Sequence, residues 1–237
     1  MAEFINTVDV IGDEALTNSI INKSITEYKD NNIGKIRNYA FRGCNLLTNV
    51  ESPTSVSIGN YAFYGCNLLT NIESPTATSI GTNAFNGCGL LEIANFPVAT
   101  SIGGSAFNGC KALTSVYFPV ATSIGSGAFY GCSALTSVDL PLVTSILNTV
   151  FYDCRSLTAL ILRSETMCTL SNTNAFLYCY HILGTVDSTY NPTGAKDGYI
   201  YVPAALVDSY KTATNWSTYA DQIRAIEDYP DICGGAH

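Results

Sequence analysis

The sequence predicts a β-rich solenoid, a stack of similar coils with one parallel strand in each coil, and three observations predict it. A unit of 22 residues recurs with Phe, Cys and Leu at fixed places, while the residues between them change. Cysteine recurs at the same step, with one longer step of 25 residues at the end: Cys44, Cys66, Cys88, Cys110, Cys132, Cys154 and Cys179. Proline, which lacks the amide that a sheet ladder needs, follows most of the predicted strands. One coil cannot bury its own apolar face, so such coils stack into a continuous core.

The end of each unit predicts the strand. In the stretch LTSVYFP, the spacing of Leu113, Val116 and Phe118 is the Leu-x-x-Leu-x-Leu pattern typical of leucine-rich repeats. We expect these three side chains to point into the solenoid. Ser115 and Tyr117 lie between them and should point outward, because successive strand side chains alternate between the two faces of a sheet.

The other half of each unit, TSIGxxAFxxC, predicts a short extended segment, a turn at its glycine and a single helical turn that buries Phe and Cys. The glycine directly before most of the cysteines favours a left-handed backbone, and Asp153 stands in its place in the sixth unit. Stacking then predicts one interior column of phenylalanines: Phe41, Phe63, Phe85, Phe107, Phe129, Phe151 and Phe176.

The cysteines are expected to form a second buried column, in which each free thiol behaves as a small apolar group. Disulfides between stacked cysteines are the alternative interpretation. A metal site is less favoured still, because the sequence contains no Cys-x-x-Cys pair and His181 and His237 are its only histidines.

Three regions are predicted along the chain. Residues 1–34 do not show the repeat and form an N-terminal cap or docking segment, residues 35–185 hold about seven leucine-rich repeats, and residues 186–237 form a C-terminal cap. Within the first region, alternating apolar residues predict a strand at the start, and the pattern over residues 13–28 predicts an amphipathic helix.

The C-terminal region predicts a turn-rich loop, then a strand from Tyr199 to Pro203 and then a helix. The helix is expected over residues 204–226, where Leu206, Tyr210 and later Trp216 recur at helical spacing. Its apolar face would cover the last coil, as the open end of a solenoid requires.

Composition and motifs exclude several classes of function. The formal net charge of −8 argues against nucleic-acid binding, which needs a basic surface. No apolar run approaches the roughly 18 residues of a membrane span, and the N-terminus shows neither the basic start nor the apolar core of a secretory signal. No nucleophile stands with a base and an orienting partner, and no phosphate-binding loop occurs, so we expect no catalytic site, metal or cofactor.

The variable outward positions are the remaining candidates for function, since solenoids bind partners through such extended faces. One column follows the strands, with Ile93 and Ala159 among its members, and a second follows each buried Phe, where tyrosine offers wide contact area. The alternative is that these are tolerated surface residues, and the adjacent carboxylates of the first column favour a solvated face over an acid–base or calcium site. The candidate contact residues are Asn49, Glu51, Asn71, Glu73, Asn95, Ser115, Tyr117, Ser137, Asp139 and Ile161 on the strands, and Tyr64, Tyr130 and Tyr152 in the second column.

The recurring pattern VATSIGxxAFxxCxxLTSVxxP resembles the BspA-like (Treponema-type) class of bacterial leucine-rich repeats, from about Ile36 to Leu183. The resemblance implies a right-handed, β-rich solenoid without long helices and brings no catalytic motif. It also implies an association with bacterial surface proteins and adhesion, or with proteins encoded by phages of gut bacteria. A bacterial surface or a phage virion is therefore the location that the resemblance favours.

The sequence supports two hypotheses of function. The first is a non-enzymatic binding or adhesion-type protein that presents an extended solenoid face to a protein or a glycan. The second is a structural or decoration subunit of a larger assembly, in which residues 1–34 make the contacts and a homo-oligomer is one outcome.

Overall fold

The computed structural model describes residues 4–5, 10–11, 25–31, 34–183 and 196–233. The strands in these ranges are β1 Phe4–Ile5, β2 Val10–Ile11, β3 Glu27–Lys29, β4 Lys35–Ile36, β5 Asn49–Glu51, β6 Asn71–Glu73, β7 Ser79–Ile80, β8 Ile93–Asn95, β9 Ser101–Ile102, β10 Ser115–Tyr117, β11 Ser123–Ile124, β12 Ser137–Asp139, β13 Ser145–Ile146, β14 Ala159–Ile161, β15 Thr169–Leu170, β16 Tyr199–Val202 and β17 Ile223–Ala225. The α-helices are α1 Tyr180–Leu183, α2 Val207–Thr212 and α3 Pro230–Cys233, and short 3-10 helices cover Thr173–Phe176, Ala204–Leu206, Trp216–Gln222 and Ile226–Asp228.

Each coil contributes its strands to two parallel ladders. In the ladder of three-residue strands, Asn49 pairs with Asn71 and Glu51 pairs with Glu73, one repeat apart. In the ladder of two-residue strands, Ser79 pairs with Ser101 in the same way. The predicted fold class, a β-rich leucine-rich repeat solenoid of parallel strands, is confirmed, and most repeats add a second, two-residue strand to the one strand predicted.

The predicted column of phenylalanines forms the centre of the core. The seven rings are fully buried and stack coil on coil, with centroids 5.1 Å apart for Phe41 and Phe63 and 5.6 Å apart for Phe151 and Phe176. Phe96 and Phe118 form a second, parallel stack with centroids 5.9 Å apart. Stacking in this way removes both faces of every internal ring from water, which is the largest apolar contribution that one side chain can make.

The seven cysteines from Cys44 to Cys179 at the repeat spacing form the second buried column, and these and Cys168 are free thiols. From Cys66 onward in this column, each Sγ donates a hydrogen bond to the carbonyl oxygen of the phenylalanine in the preceding coil, as Cys66 does to Phe41 at 3.0 Å and Cys110 does to Phe85 at 3.2 Å. Burial raises the pKa of the Cys110 thiol well above its ordinary value, since a thiolate there would lose its hydration. Free thiols are therefore the correct interpretation for these cysteines, and the disulfide alternative is wrong for them.

The two sets of glycines serve different purposes. The glycines before the cysteines have the left-handed backbone that was predicted, for example Gly65 at φ 74, and Asp153 shares it at φ 60. The glycine of the TSIG motif, in contrast, is needed for space. A Cβ on Gly81 would lie 2.5 Å from the carbonyl carbon of Gly59 in the neighbouring coil, so only glycine lets the two backbones touch.

The predicted helical turn around Phe and Cys is a pair of tight turns instead. The amide of Cys66 bonds to the carbonyl of Phe63 at 3.0 Å, and that of Tyr64 bonds to Tyr61 at 3.2 Å. Tyr61 has a left-handed backbone at φ 55, and this conformation interrupts any helix that includes it. The same position is left-handed in other coils as well, at Asn83 and Ser105.

The N-terminal region continues the stack. Strand β3 pairs with β5 in the one-repeat register, Glu27 opposite Asn49, and the buried ring of Tyr28 lies 4.9 Å from that of Phe41. The helix predicted over residues 13–28 is therefore wrong at its end, and residues 13–24 lie outside the described residues. The ladder of strands therefore crosses the boundary that was predicted at residue 34. The role of residues 1–34 as a cap or docking segment stays a prediction.

The C-terminal region packs on the last coil with mixed structure. The predicted strand at Tyr199 is confirmed as β16. The single helix predicted over residues 204–226 is confirmed only in part, because residues 204–212 and 216–222 form separate short helices and residues 223–225 form β17. Helix α2 ends where Ala213 takes an extended backbone at φ −70 and ψ 152, and Asn215 is left-handed at φ 64 before the next 3-10 helix. The chain then pairs β17 with β16, while Trp216 is buried and donates a hydrogen bond to the carbonyl of Cys168 at 2.7 Å.

Candidate binding surfaces

The outward side chains of β5, β6, β8, β10 and β12 form one surface, called here the strand face. At its N-terminal end the side chains are linked to one another. Asn71 donates to the Oδ1 of Asn49 at 2.8 Å, Asn49 donates to the Oε1 of Glu51 at 2.9 Å, and Lys29 pairs with the same oxygen at 2.9 Å. The hydrogen bonds from Lys29 and then Asn49 lower the pKa of Glu51, so this carboxylate stays ionised.

The middle of the strand face is apolar. Ile93 is 57% exposed and Tyr117 is 56% exposed, the highest values among the large apolar side chains of the described residues. Strands β8 and β10 are directly paired, with Ser115 opposite Ile93 and Tyr117 opposite Asn95, so the two side chains lie on a diagonal. Such diagonal neighbours are within reach of each other on a sheet.

At the C-terminal end of the strand face, Asp139 accepts a hydrogen bond at Oδ1 from Nε of Arg163 at 3.1 Å and another at Oδ2 from Nη2 at 2.7 Å, a bidentate pair that fixes both side chains. The candidate Ile161 is only 5% exposed, because it packs in one cluster with Ala159 and Tyr201 under the C-terminal segment. The expectation that Ile161 faces the solvent is therefore wrong.

The remaining strand candidates all lie on the strand face. Glu73, Asn95, Ser115 and Ser137 are exposed together with Asn71 and Tyr117, whereas Asn49, Glu51 and Asp139 are half-buried by their partners. Within each hydrogen-bonded strand pair of this face, residues 22 apart lie opposite each other, which aligns these side chains in columns. The face as a whole is polar at both ends and apolar in the middle.

The second column of candidates, on the turns, divides into two tyrosine clusters. Tyr64 is exposed in the N-terminal cluster, where the guanidinium of Arg42 lies 5.7 Å from the Tyr64 ring centroid and 5.6 Å from that of Tyr39. Tyr130 and Tyr152 are half-buried in the C-terminal cluster and stack with centroids 4.5 Å apart. Asn86 and Asn108, which follow Phe85 and Phe107 in the same column, separate the two clusters.

A cleft of about 380 Å³ opens beside the C-terminal cluster, lined by Tyr152, Asp153, Arg155, Tyr178 and Tyr180. Of these five residues, only Tyr152 was among the predicted contact residues. Tyr178 occupies the glycine position before Cys179, with φ 66, and its ring meets Tyr152 edge-on at 5.2 Å. The stretch AFLYC, which has Tyr where most units have Gly, was the signal that could have indicated it.

Comparison with known proteins decides the family. The sequence model of the BspA type leucine-rich repeat region matches residues 2–114 and 78–188, with six copies. The chain belongs to the BspA-type leucine-rich repeat family. A search of the curated proteins finds no match to this BspA-type protein.

Solved structures of other leucine-rich repeat proteins are similar to this BspA-type protein. The Treponema pallidum leucine-rich repeat protein is 31% identical with a TM-score of 0.59, over 63% of this chain and 71% of that one. A leucine-rich repeat protein from Bacteroides ovatus is 24% identical with a TM-score of 0.55, over 85% of this chain and 53% of that one. The second likeness concerns the fold alone.

The family supplies a coarse function. Leucine-rich repeat proteins generally bind proteins and are typically not enzymes. Within the described ranges, no group of three or more His, Cys, Asp or Glu side chains could hold a metal ion. None of the helices in the described part of this BspA-type chain has both the length and the apolar character to span a bilayer.

Proposed function

We propose that this BspA-type protein is a non-enzymatic, adhesion-type binding protein located on a bacterial surface or a phage particle. Its strand face contacts a protein partner. The observation that carries the proposal is the exposure of Ile93 and Tyr117, both more than half exposed on directly paired strands. Two large apolar side chains on one sheet, free of any packing role, cost hydration free energy in the unbound protein. A partner that covers them recovers that free energy.

The surroundings of this pair support a protein interface. Protein interfaces have an apolar centre, in which tyrosine is enriched, and a polar rim that excludes water. Here the rim consists of the linked side chains of Asn49, Asn71 and Glu51 on one side and the pair of Asp139 with Arg163 on the other. Because these rim side chains already bond to one another, they would lose little further conformational entropy when a partner binds.

The test measures binding by surface plasmon resonance to immobilised extracellular-matrix proteins and bacterial envelope proteins. Tyr117→Ala and Ile93→Ser should each weaken the tightest interaction by at least about tenfold, as truncation of a central contact does. Tyr64→Ala is the matched control, since it removes another exposed tyrosine, 37% accessible, from the turn side. Unchanged binding by the first two variants, or an equal loss in the control, would contradict the strand face as the contact surface.

Light scattering after size-exclusion chromatography separates this proposal from a structural or decoration subunit that assembles through residues 1–34. A monomer that still binds its partner supports the adhesion-type function. A closed oligomer that a truncation before Ile25 converts to monomer, without change in partner binding, supports the assembly role instead.

A further inference from the structure

The cleft lined by Tyr152, Asp153, Arg155, Tyr178 and Tyr180 lies on the turn side of the solenoid, on other elements than the strand face. Its volume of about 380 Å³ is at the small end of the range for small-molecule sites, about 300–1,000 Å³. A ligand of one or two rings fits this space better than a long chain. The inference drawn from it goes beyond the proposed function and does not depend on it.

The aromatic side chains of the cleft are fixed in place. Tyr152 stacks on Tyr130 with an interplanar angle of 7°, and Tyr178 meets Tyr152 edge-on at 78°. Tyr178 is 38% exposed and holds a left-handed backbone at φ 66, which a bulky residue adopts only where its surroundings enforce it. The result is a rigid corner of two ring surfaces with phenolic hydroxyl groups at their edges.

The charged side chains of the cleft neutralise each other. Arg155 donates from its Nε to Oδ1 of Asp153 at 2.7 Å and from its Nη2 to Oδ2 at 3.4 Å. A planar pair of this kind can bond two neighbouring hydroxyl groups of a ligand, because each carboxylate oxygen accepts more than one hydrogen bond and a guanidinium carries five donors. Since the two charges cancel and the whole chain carries −8, an anionic ligand gains nothing here.

Rigid aromatic faces next to a neutral, planar set of donors and acceptors suit one class of ligand. A pyranose sugar has an apolar face of C–H groups, whose partial positive charge matches the negative face of an aromatic ring. Its rim of hydroxyl groups needs hydrogen-bond partners of both kinds. An apolar ligand would make no hydrogen bond to the Asp153–Arg155 pair. A phosphorylated or sialylated ligand would be repelled by the Asp153 carboxylate.

We propose that this cleft binds a neutral mono- or disaccharide, with its C–H face against the Tyr178 ring and its hydroxyl groups on the Asp153–Arg155 pair. The N-terminal tyrosine cluster provides the internal contrast. There the Arg42 guanidinium lies over the faces of Tyr39 and Tyr64. A sugar would have to displace that cation, so no binding is assigned to the N-terminal cluster.

The experiment titrates the full chain with neutral sugars and follows binding by saturation-transfer NMR and calorimetry. The probes are glucose, galactose, mannose, N-acetylglucosamine, lactose and cellobiose, with sialyllactose as the anionic comparison. At least one neutral probe should bind with a Kd on the order of 1 mM or tighter, the range expected for a shallow site of this size. Tyr178→Ala should weaken that binding by at least about tenfold, and Tyr64→Ala should leave it unchanged.

A second variant separates sugar recognition from a general effect on folding. Asp153→Asn keeps the size of the side chain and tolerates the left-handed backbone at φ 60, but leaves the Arg155 charge unbalanced. This variant should lose affinity for the neutral sugar and gain affinity for sialyllactose. The proposal is overturned if no neutral probe binds at tens of millimolar, if the unmodified protein prefers sialyllactose, or if Tyr178→Ala and Tyr64→Ala act alike.

Discussion

The two halves of the coil stack are built from one repeat but differ in spacing. In the first half, from Phe41 to Phe107, successive ring centroids are 5.1, 5.2 and 5.1 Å apart. In the second half, from Phe107 to Phe176, the distances are 5.6, 5.7 and 5.6 Å. The phenylalanine amide bonds between coils follow the same trend, from 2.7 Å for Phe63 to 3.0 Å for Phe129, whereas the amide bonds of Gly65 and Gly131 stay at 2.8 and 2.7 Å.

Side chains at the contact points between coils explain the two wide steps after Phe129, whereas the step from Phe107 to Phe129 keeps Gly125 and Ala128 at these points. The TSIG glycine recurs through Gly125, and then Leu147 takes its place; likewise Val150 stands where the earlier coils have alanine. The ladder of two-residue strands runs through β7, β9 and β11, and β13 pairs with β15 instead of joining it. Coil spacing in this protein is therefore set by the smallest residues of the repeat as much as by the phenylalanines.

The largest expected effect is alkaline unfolding. Burial raises the pKa of six thiols: Cys66, Cys88, Cys110, Cys132, Cys168 and Cys179. Above about pH 8.5 the unfolded chain loses these protons while the folded chain keeps them, so the free energy of unfolding falls as the pH rises. Each thiol contributes at most about 1.4 kcal/mol per pH unit, so six contribute at most roughly 8 kcal/mol per pH unit. Urea unfolding between pH 7 and 10 measures this loss.

Thiol labelling compares how often the coils of the two halves open. We expect Cys132 and Cys179, in the wider half, to react with a thiol reagent before Cys66 and Cys88 under native conditions, because less tightly packed coils open more often. Mass spectrometry of the labelled peptides identifies the order. Simultaneous labelling of both pairs would show that the packing difference has no energetic consequence. Stability that is flat up to pH 10 would instead contradict the raised pKa values of the buried thiols.

The next largest effect concerns the stacked rings. Phe85→Ala should cost about 3–5 kcal/mol, as loss of a buried aromatic side chain does. Phe151→Ala should cost about 1 kcal/mol less, because Phe85 contacts the rings of Phe63, Phe96 and Phe107 whereas Phe151 contacts only those of Phe129 and Phe176 among the described residues. Urea unfolding followed by circular dichroism gives both values. Equal costs would argue against a looser second half.

The columns could be predicted from the sequence because identical residues at a fixed period must take identical places in the coil. The buried phenylalanines and cysteines and the outward Tyr117 all follow from that one rule. The short strand Glu27–Lys29 was not predicted because its residues differ from those of the repeat. Tyr28 nevertheless lies opposite Val50 and takes the same inward position, so the strand is recognised by its register and not by its residue types.

Other features depend on partners that are distant in sequence. The TSIG glycine was expected at a turn, but its need for space appears only when the neighbouring coil is in place. The burial of Ile161 comes from Tyr201 and the segment after it. The left-handed backbone of Tyr61 could not be predicted, because no glycine stands at that position. The cleft beside Tyr178 forms only when the last repeat is folded against Tyr152.

A smaller effect tests the role of the contact glycines directly. Gly103→Ala places a Cβ 2.5 Å from the carbonyl carbon of Gly81 and 2.5 Å from the amide nitrogen of Thr82. Backbone atoms cannot rotate away, so the coils must separate, and we expect a loss of about 1–3 kcal/mol. Leu147→Ala is the matched control at the same place in the repeat; Leu147 is 38% exposed, and its truncation should cost about 0.5 kcal/mol or less. A Gly103→Ala cost as small as the control would refute spacing by glycine.

The smallest effect is expected from the exposed threonines that bridge the coils. The Thr122 hydroxyl donates to the carbonyl of Thr100 at 3.2 Å where the first half meets the second, and the Thr169 hydroxyl donates to Thr144 at 3.4 Å within the second. The Thr100 carbonyl also accepts the Thr122 amide at 2.9 Å, so Thr122→Val leaves no acceptor unpaired and keeps the β-branched shape. We expect Thr122→Val to cost about 0.5 kcal/mol, at the low end for a hydrogen bond, and Thr169→Val to cost less. A loss above that of Gly103→Ala would mean that hydroxyl bridges, rather than backbone contact, set the distance between coils.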